Sequence, residues 1–207
     1  MTITYPLSIP TIPVTDSTWR LVCINSQSIS PFTGAQQTYL HPGVWWEGQI
    51  TFRPVLGQQA GNLRAFLTSL NGMSGTFLMG DPDNLAKGNR GVATTGITVS
   101  GAGQMGSTLV LTGFASSTAD VLCAGDYLQI GSAANAKLHQ VLETVASDGA
   151  GTAVISIAPP LRSSPVDGGS VILVQPRGVF RLSEPTVEWS SGPTAVQSVT
   201  IAFREAL

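Results

Sequence analysis

The aromatic residues are divided unevenly along the chain, and this division is the feature that most constrains the fold. Residues 1–82 and 177–207 hold all four Trp and six of the seven Phe, whereas the segment between them holds only Phe114 and Tyr127. Turn-type sequences bracket that segment, Asp-Pro-Asp-Asn at 81–84 and Gln-Pro-Arg-Gly at 175–178. The pattern predicts a discontinuous outer domain, residues 1–82 plus 177–207, with a second domain, residues 83–176, inserted at a surface loop.

The outer domain is predicted to be mostly β with one helix. Residues 19–24 and 44–52 are rich in β-branched and aromatic types and lie between turn residues, which is typical of strands. After Gly57 the apolar spacing becomes helical, and Asn71-Gly72 supplies a stop. A strand is predicted at 75–80, and alternation on both sides of the break at 190–194 predicts a hairpin with one buried face. The helical set is Ala60, Leu63, Phe66, Leu67 and Leu70.

The inserted domain is predicted to be all β. Six short strand-like runs are separated by clusters of Gly, Asp, Ser or Pro, and this spacing is typical of a small barrel or sandwich. The runs are 96–100, 108–112, 127–130, 138–145, 153–157 and 171–174. The fold class expected for the whole chain is therefore mainly β: a β-sandwich-like outer domain with one α-helix, plus an inserted small all-β barrel or sandwich.

Charge is scarce, and its scarcity excludes several classes of protein. Only 11% of the residues are charged and the net charge is −2, against about 25% charged residues in an ordinary domain. The chain has no run of Lys and Arg that would attract nucleic acid or an anionic membrane. It has no apolar run near the roughly 20 residues that span a bilayer. The first 16 residues lack a basic start and contain three Pro, so no secretory signal is expected.

Motifs that could carry chemistry are weak. Residues 101–106 match G-x-G-x-x-G, but a dinucleotide site needs a helix after the motif and here a strand-like run follows, so a glycine-rich hairpin turn is expected. His41 precedes Pro42 in a turn, and His139 is expected to be an ordinary surface or loop histidine. Asp81, Asp83 and the neighbouring Asn84 lack the ligand spacing of a calcium loop. No catalytic residue, cofactor or metal is therefore predicted, and an enzyme is not expected.

The adjacent tryptophans Trp45 and Trp46 are the candidate interaction residues. In a strand, neighbouring side chains point to opposite faces. One of the two is therefore expected in the core, and the other is a candidate subunit contact. The same pair also suits a sugar-binding platform, which keeps a carbohydrate-binding module open as an alternative function.

The order of elements in the outer domain resembles that of the distal tail and minor tail-tip proteins of long, non-contractile-tailed bacteriophages. The resemblance rests on residues 46–54 (Trp-Glu-Gly-Gln-Ile-Thr-Phe-Arg-Pro), the helix around 63–67, the strand at 75–82 (Gly-Thr-Phe-Leu-Met-Gly-Asp-Pro) and the final hairpin strand 199–205. Residues 125–130, 149–153 and 159–162 of the insert also resemble segments of phage structural proteins.

The resemblance implies a structural virion protein. It implies a homo-oligomeric ring, six-fold, that joins the tail tube protein to the tail hub or tip proteins, with the virion tail as its location. No cofactor, nucleic-acid recognition or membrane contact is implied. A tail-tube subunit and a head-to-tail connector are the nearest alternatives within the same class.

Overall fold

The computed structural model describes residues 3–93, 95–189 and 198–207. In these residues the chain forms two six-stranded sheets and two α-helices. In chain order the elements are β1 (Leu7–Ser8), β2 (Val14–Ile29), β3 (Gln36–Phe52), α1 (Gly57–Ser69), β4 (Phe77–Met79), α2 (Pro82–Lys87), β5 (Thr98–Val99), β6 (Gly106–Thr112), β7 (Tyr127–Ile130), β8 (Lys137–Val141), β9 (Thr152–Leu161), β10 (Val171–Ile172), β11 (Gly178–Leu182) and β12 (Thr200–Glu205). The mainly β fold class predicted from the sequence is confirmed.

The first sheet has the spatial order β1-β4-β11-β12-β3-β2. Its strands come from both ends of the chain, and all neighbours are antiparallel except the short parallel pair β1–β4. Alternate residues of β3 and β12 are buried, including Ile50, Phe52, Ile201 and Phe203. The period-2 pattern of these strands therefore reflects one face turned to a core.

Helix α1 covers that buried face of the first sheet. Its apolar residues lie at helical spacing and join one core with the sheet, as the sequence predicted: Ala60, Leu63, Phe66, Leu67 and the following Leu70. Full burial of each large side chain contributes about 1.5–3 kcal/mol. The helix ends where expected, because Asn71 and Gly72 adopt positive φ angles of 49° and 64° that a helix cannot continue through.

The second sheet has the order β10-β7-β8-β9-β6-β5 and closes on itself into a barrel. Its two ends meet where the Val99 amide donates to the Gly169 carbonyl and the Val171 amide donates to the Ile97 carbonyl, both near 3.0 Å. Side chains from all sides fill the interior, with Leu109, Leu111, Leu128, Val141 and Ile155 fully buried. The sheet is therefore nearly a closed barrel, with its two short end strands joined by these bonds.

Three details differ from the sequence prediction. Residues 81–84, expected as a turn, begin the short helix α2, in which the Asp81 side chain accepts from the Asp83 amide and Pro82 takes the first position. Strands β2 and β3 are also much longer than the predicted 19–24 and 44–52. In the predicted C-terminal hairpin, β11 pairs with β12, while residues 186–189 are not in a strand. The expected break at 190–194 lies outside the described residues.

Candidate assembly interface

A hairpin arm, defined here as residues 24–43, projects from the first sheet. Strand β12 pairs with β3 only from Glu47 to Thr51, so beyond that point β2 and β3 form a two-stranded ribbon. The pairs from Asn25↔Leu40 to Ile29↔Gln36 continue the ribbon to a tip at residues 30–35. At about 3.4 Å per residue, the arm reaches about 20 Å beyond Cys23.

The arm is uncharged and exposed. None of its residues is Asp, Glu, Lys or Arg. All of them are exposed except Ser30, His41 and Gly43, which are half-buried. Large apolar side chains are among them: Phe32 at the tip is 95% exposed, and Tyr39 and Leu40 are about two-thirds exposed. Exposed apolar side chains on an uncharged arm are typical of a protein–protein contact.

Polar contacts join the two strands of the arm. The Ser26 hydroxyl and His41 Nε2 lie 2.8 Å apart, and the Gln27 amide donates to Gln36 Oε1 at 3.0 Å. The Ser30 amide donates to the Ala35 carbonyl at the tip. Since a two-stranded ribbon with no packed face is only marginally stable in water, these bonds shape the arm while its apolar side chains remain available to a partner.

Strand β2 is also the outer strand of the first sheet along its whole length. Its free edge presents backbone donors and acceptors over Val14–Ile29, with charge only at Asp16 and Arg20. Arg20 reaches across the sheet to Glu47 at 3.2 Å. Long, lightly charged edges are sites at which another chain can add a strand.

The structure places Trp45 and Trp46 on opposite faces of β3. Trp46 is 4% exposed and belongs to the core, where its indole N–H donates to the Leu138 carbonyl at 3.0 Å. Trp45 is half-buried and lies under the Arg204 guanidinium, 4.3 Å from the ring centre. The two rings therefore do not form a shared aromatic platform.

An ion pair between a buried carboxylate and a partly exposed arginine connects the barrel to the first sheet. Arg162, at the end of β9, donates to both carboxylate oxygens of Glu205 at 2.8 and 2.9 Å and also to the Val44 carbonyl. The Glu205 side chain is 3% exposed, and it accepts from the Trp46 amide as well. This carboxylate thus accepts three hydrogen bonds, two of them from a cation, which offsets the cost of burying its charge.

His139 lies beside this junction, and the expectation of a surface histidine is wrong. It is 5% exposed, with Nδ1 2.7 Å from the Pro159 carbonyl. Burial lowers its pKa, against a smaller raising effect of that hydrogen bond. Alternation in β8 was visible in the sequence, but the segments that cover His139 come from β9 and from the end of the chain, far away along the sequence.

A second buried carboxylate, that of Asp126, fixes the segment of chain that leads into the barrel. The Asp126 carboxylate is 1% exposed and accepts from the backbone amides of Arg90, Gly91 and Cys123 at 2.8–2.9 Å. Asn89 adds a bond in each direction with the backbone of Tyr127. The sequence indicates a turn at Asp126, ahead of a strand, because Asp is a common turn residue; it does not reveal the bonds to Arg90 and Gly91, which lie more than thirty residues earlier in the chain.

The remaining motifs form no reactive cluster. Residues 100–105 connect the antiparallel strands β5 and β6, so the glycine motif is a hairpin loop, as predicted. His41 lies on the arm beside Tyr39. Asp81 caps the first turn of α2, and Asp83 forms an ion pair with Lys87 in the same helix. No group of three potential metal ligands occurs in residues 3–93, 95–189 and 198–207.

Comparison with known proteins does not assign the chain to a family. No family model matches the chain, and no curated protein matches it. Among the described residues, no helix is long and apolar enough to cross a membrane.

Proposed function

We propose that this protein is a structural subunit of a phage tail, a distal tail protein that forms a ring between the tail tube and the tail tip. The observation that carries the proposal is the arm. An uncharged hairpin with Phe32 at its tip is suited to permanent contact with another protein and not to water. The resemblance of the outer domain to distal tail proteins supplies the assembly to which such an arm would belong.

In this proposal the arm and the free edge of β2 contact the next subunit of a closed ring. Such a contact is heterologous, because the arm of one copy meets a different surface of its neighbour, and rotation closes the circle. Six copies are expected from the resemblance. Closure would cover the exposed edge strand in every copy, which removes a site of open-ended aggregation. The protein would thus act by shape and surface complementarity, with no chemical turnover.

Electron microscopy of the purified protein tests the proposal. Closed rings of six copies are the expected particles. Long tubes would favour the alternative of a tail-tube subunit, because a tube protein stacks on copies of itself. Particles of single subunits at all protein concentrations would contradict the proposal. The carbohydrate-binding alternative keeps the β-rich insert in its support and loses the tryptophan pair, since Trp45 and Trp46 do not share a face.

A further inference from the structure

A cleft lies at one mouth of the barrel, next to the junction with the first sheet. Its volume is about 600 Å³, within the range of about 300–1,000 Å³ usual for ligand sites. The turn between β7 and β8 forms one wall, and the loop 162–169 between β9 and β10 forms another. Val99, Ile130, Pro160 and Leu161 supply an apolar floor.

The polar residues of the cleft are all basic or neutral. Lys137, His139 and Arg162 line it together with several serines, and no Asp or Glu is among the lining residues. The cleft therefore has an excess of basic side chains, although the whole chain has more acidic than basic residues. The charge of Arg162 is paired with the Glu205 carboxylate. The positive charge available to an anion in the cleft is therefore that of Lys137.

Lys137 and His139 offer one donor and one acceptor. The Lys137 ammonium already donates to the backbone carbonyl of Ala206 at 2.9 Å, and it has two further protons. His139 Nδ1 must carry its ring proton, because its neighbour, the Pro159 carbonyl, can only accept. Nε2 of the neutral ring is therefore an acceptor, and among the described residues it has no hydrogen-bond partner. Burial, which lowers the pKa of His139, keeps the ring in this neutral form.

We propose that this cleft binds an extended, acidic peptide segment of a partner protein. A peptide supplies the N–H for His139 Nε2, and a carboxylate on the peptide pairs with the Lys137 ammonium over the apolar floor. The bond from the Lys137 ammonium to the Ala206 carbonyl fixes the position of the charge and leaves two of its protons for the peptide. The lining residues include no Phe, Tyr or Trp, the large rings on which sugars and nucleic-acid bases usually stack, and this disfavours either of them as the occupant. The inference does not depend on ring formation.

The test uses the intact protein and two randomised pentapeptide mixtures, Ac-X-X-Glu-X-X-NH2 and its matched Gln form. NMR titration should show the Glu mixture shifting signals of Lys137, His139 and the loop 162–169. The Gln mixture should bind at least about tenfold more weakly, because a charge-assisted hydrogen bond is lost. No shift at these residues with the Glu mixture up to about 5 mM, a limit that covers weak single-site binding, overturns the inference. Equal binding of both mixtures also overturns it.

Variants at the rim of the cleft test peptide binding without disturbing the fold. Val166 is 78% exposed on the loop 162–169, so a charge there leaves the fold intact. Val166→Glu should weaken binding of the Glu mixture about fivefold and Val166→Lys should strengthen it, as expected for one charge a few ångströms from the ligand. Val154, 56% exposed on β9 and absent from the cleft lining, is the matched control, and its Glu and Lys variants should change nothing. Equal effects at the two positions would contradict the proposal.

Three further probes identify the source of the anion. Acetate and inorganic phosphate test small anions, and a sulfated oligosaccharide tests an acidic glycan. The peptide should compete with each of them for the same signals and should bind most tightly. Tighter binding of phosphate or of the oligosaccharide than of the Glu mixture would overturn the assignment to a peptide.

Discussion

Glu205 is the residue on which the junction between the first sheet and the barrel depends. Its carboxylate is buried, pairs with Arg162 and also accepts the Trp46 amide. Removing the charge of Arg162 would leave this carboxylate desolvated and unpaired. Arg162→Met is therefore expected to lower the free energy of unfolding by about 3 kcal/mol, which urea denaturation would measure.

The exposed pair Arg20–Glu47 is the matched control for this prediction. The Arg20 side chain is 58% exposed, and solvent screens such pairs to less than about 1 kcal/mol. Arg20→Met should therefore change the free energy of unfolding by a small amount. Equal losses in the two variants would show that burial at Glu205 does not set the strength of its pair.

His139 gives the protein a dependence of stability on pH. Its pKa is lowered in the folded state, so the unfolded state takes up a proton first, near the ordinary value of 6.5. The stabilisation is complete above that pH and is lost as the pH falls towards the folded-state pKa. The charged groups that act on His139 are Glu205, Arg162 and Lys137.

Denaturant titrations at pH 7.5 and 5 would measure this effect. The difference in stability between the two pH values should be smaller in His139→Gln, because the titrating group is absent. A pH dependence unchanged by the substitution would contradict the neutral, buried state of His139. Sequence alone could not predict this state, since it depends on residues brought beside β8 from elsewhere in the chain.

At the scale of elements, the packing of β2, β3 and β12 requires a glycine. A Cβ on Gly48 would lie 1.9 Å from the Thr18 carbonyl oxygen and 2.8 Å from the Phe203 ring. Strand pairing fixes both neighbours. Gly48→Ala is therefore expected to destabilise the protein by about 1–3 kcal/mol, measured by urea denaturation.

Gly61 of α1 provides the opposite control. A Cβ there meets nothing within 4 Å, and the backbone is already helical. Gly61→Ala should stabilise the protein by about 0.5–1 kcal/mol. Destabilisation at Gly61 equal to that at Gly48 would contradict the contrast between a crowded strand and an open helix face.

The elements with strong periodicity could be predicted, and those without it could not. Helix α1 was predictable because its apolar side chains recur on one face. Helix α2 was missed although Asp81, Pro82 and Lys87 are favourable end residues, because a helix so short has no apolar stripe. The arm was missed as structure because exposed strands lack alternation, yet its lack of charge was visible in the sequence.

At the scale of the whole molecule, an uncharged arm predicts assembly that resists salt. Raising the ionic strength from about 0.1 M to about 1 M shortens the screening length from about 10 Å to about 3 Å. Contacts made by Phe32, Tyr39 and Leu40 would be unaffected. Sedimentation analysis should therefore show the same oligomer at both salt concentrations, whereas dissociation at high salt would indicate an interface built from ion pairs.

The central claim is that the arm joins copies of this protein. Light scattering coupled to size-exclusion chromatography tests it most directly on the intact protein, on Phe32→Asp and on Leu142→Asp. Leu142 is 51% exposed outside the arm and serves as the control. We expect a closed oligomer of six protomer masses for the intact protein and for Leu142→Asp, and a folded monomer for Phe32→Asp. A monomeric intact protein, or an oligomer unchanged by Phe32→Asp, would contradict it.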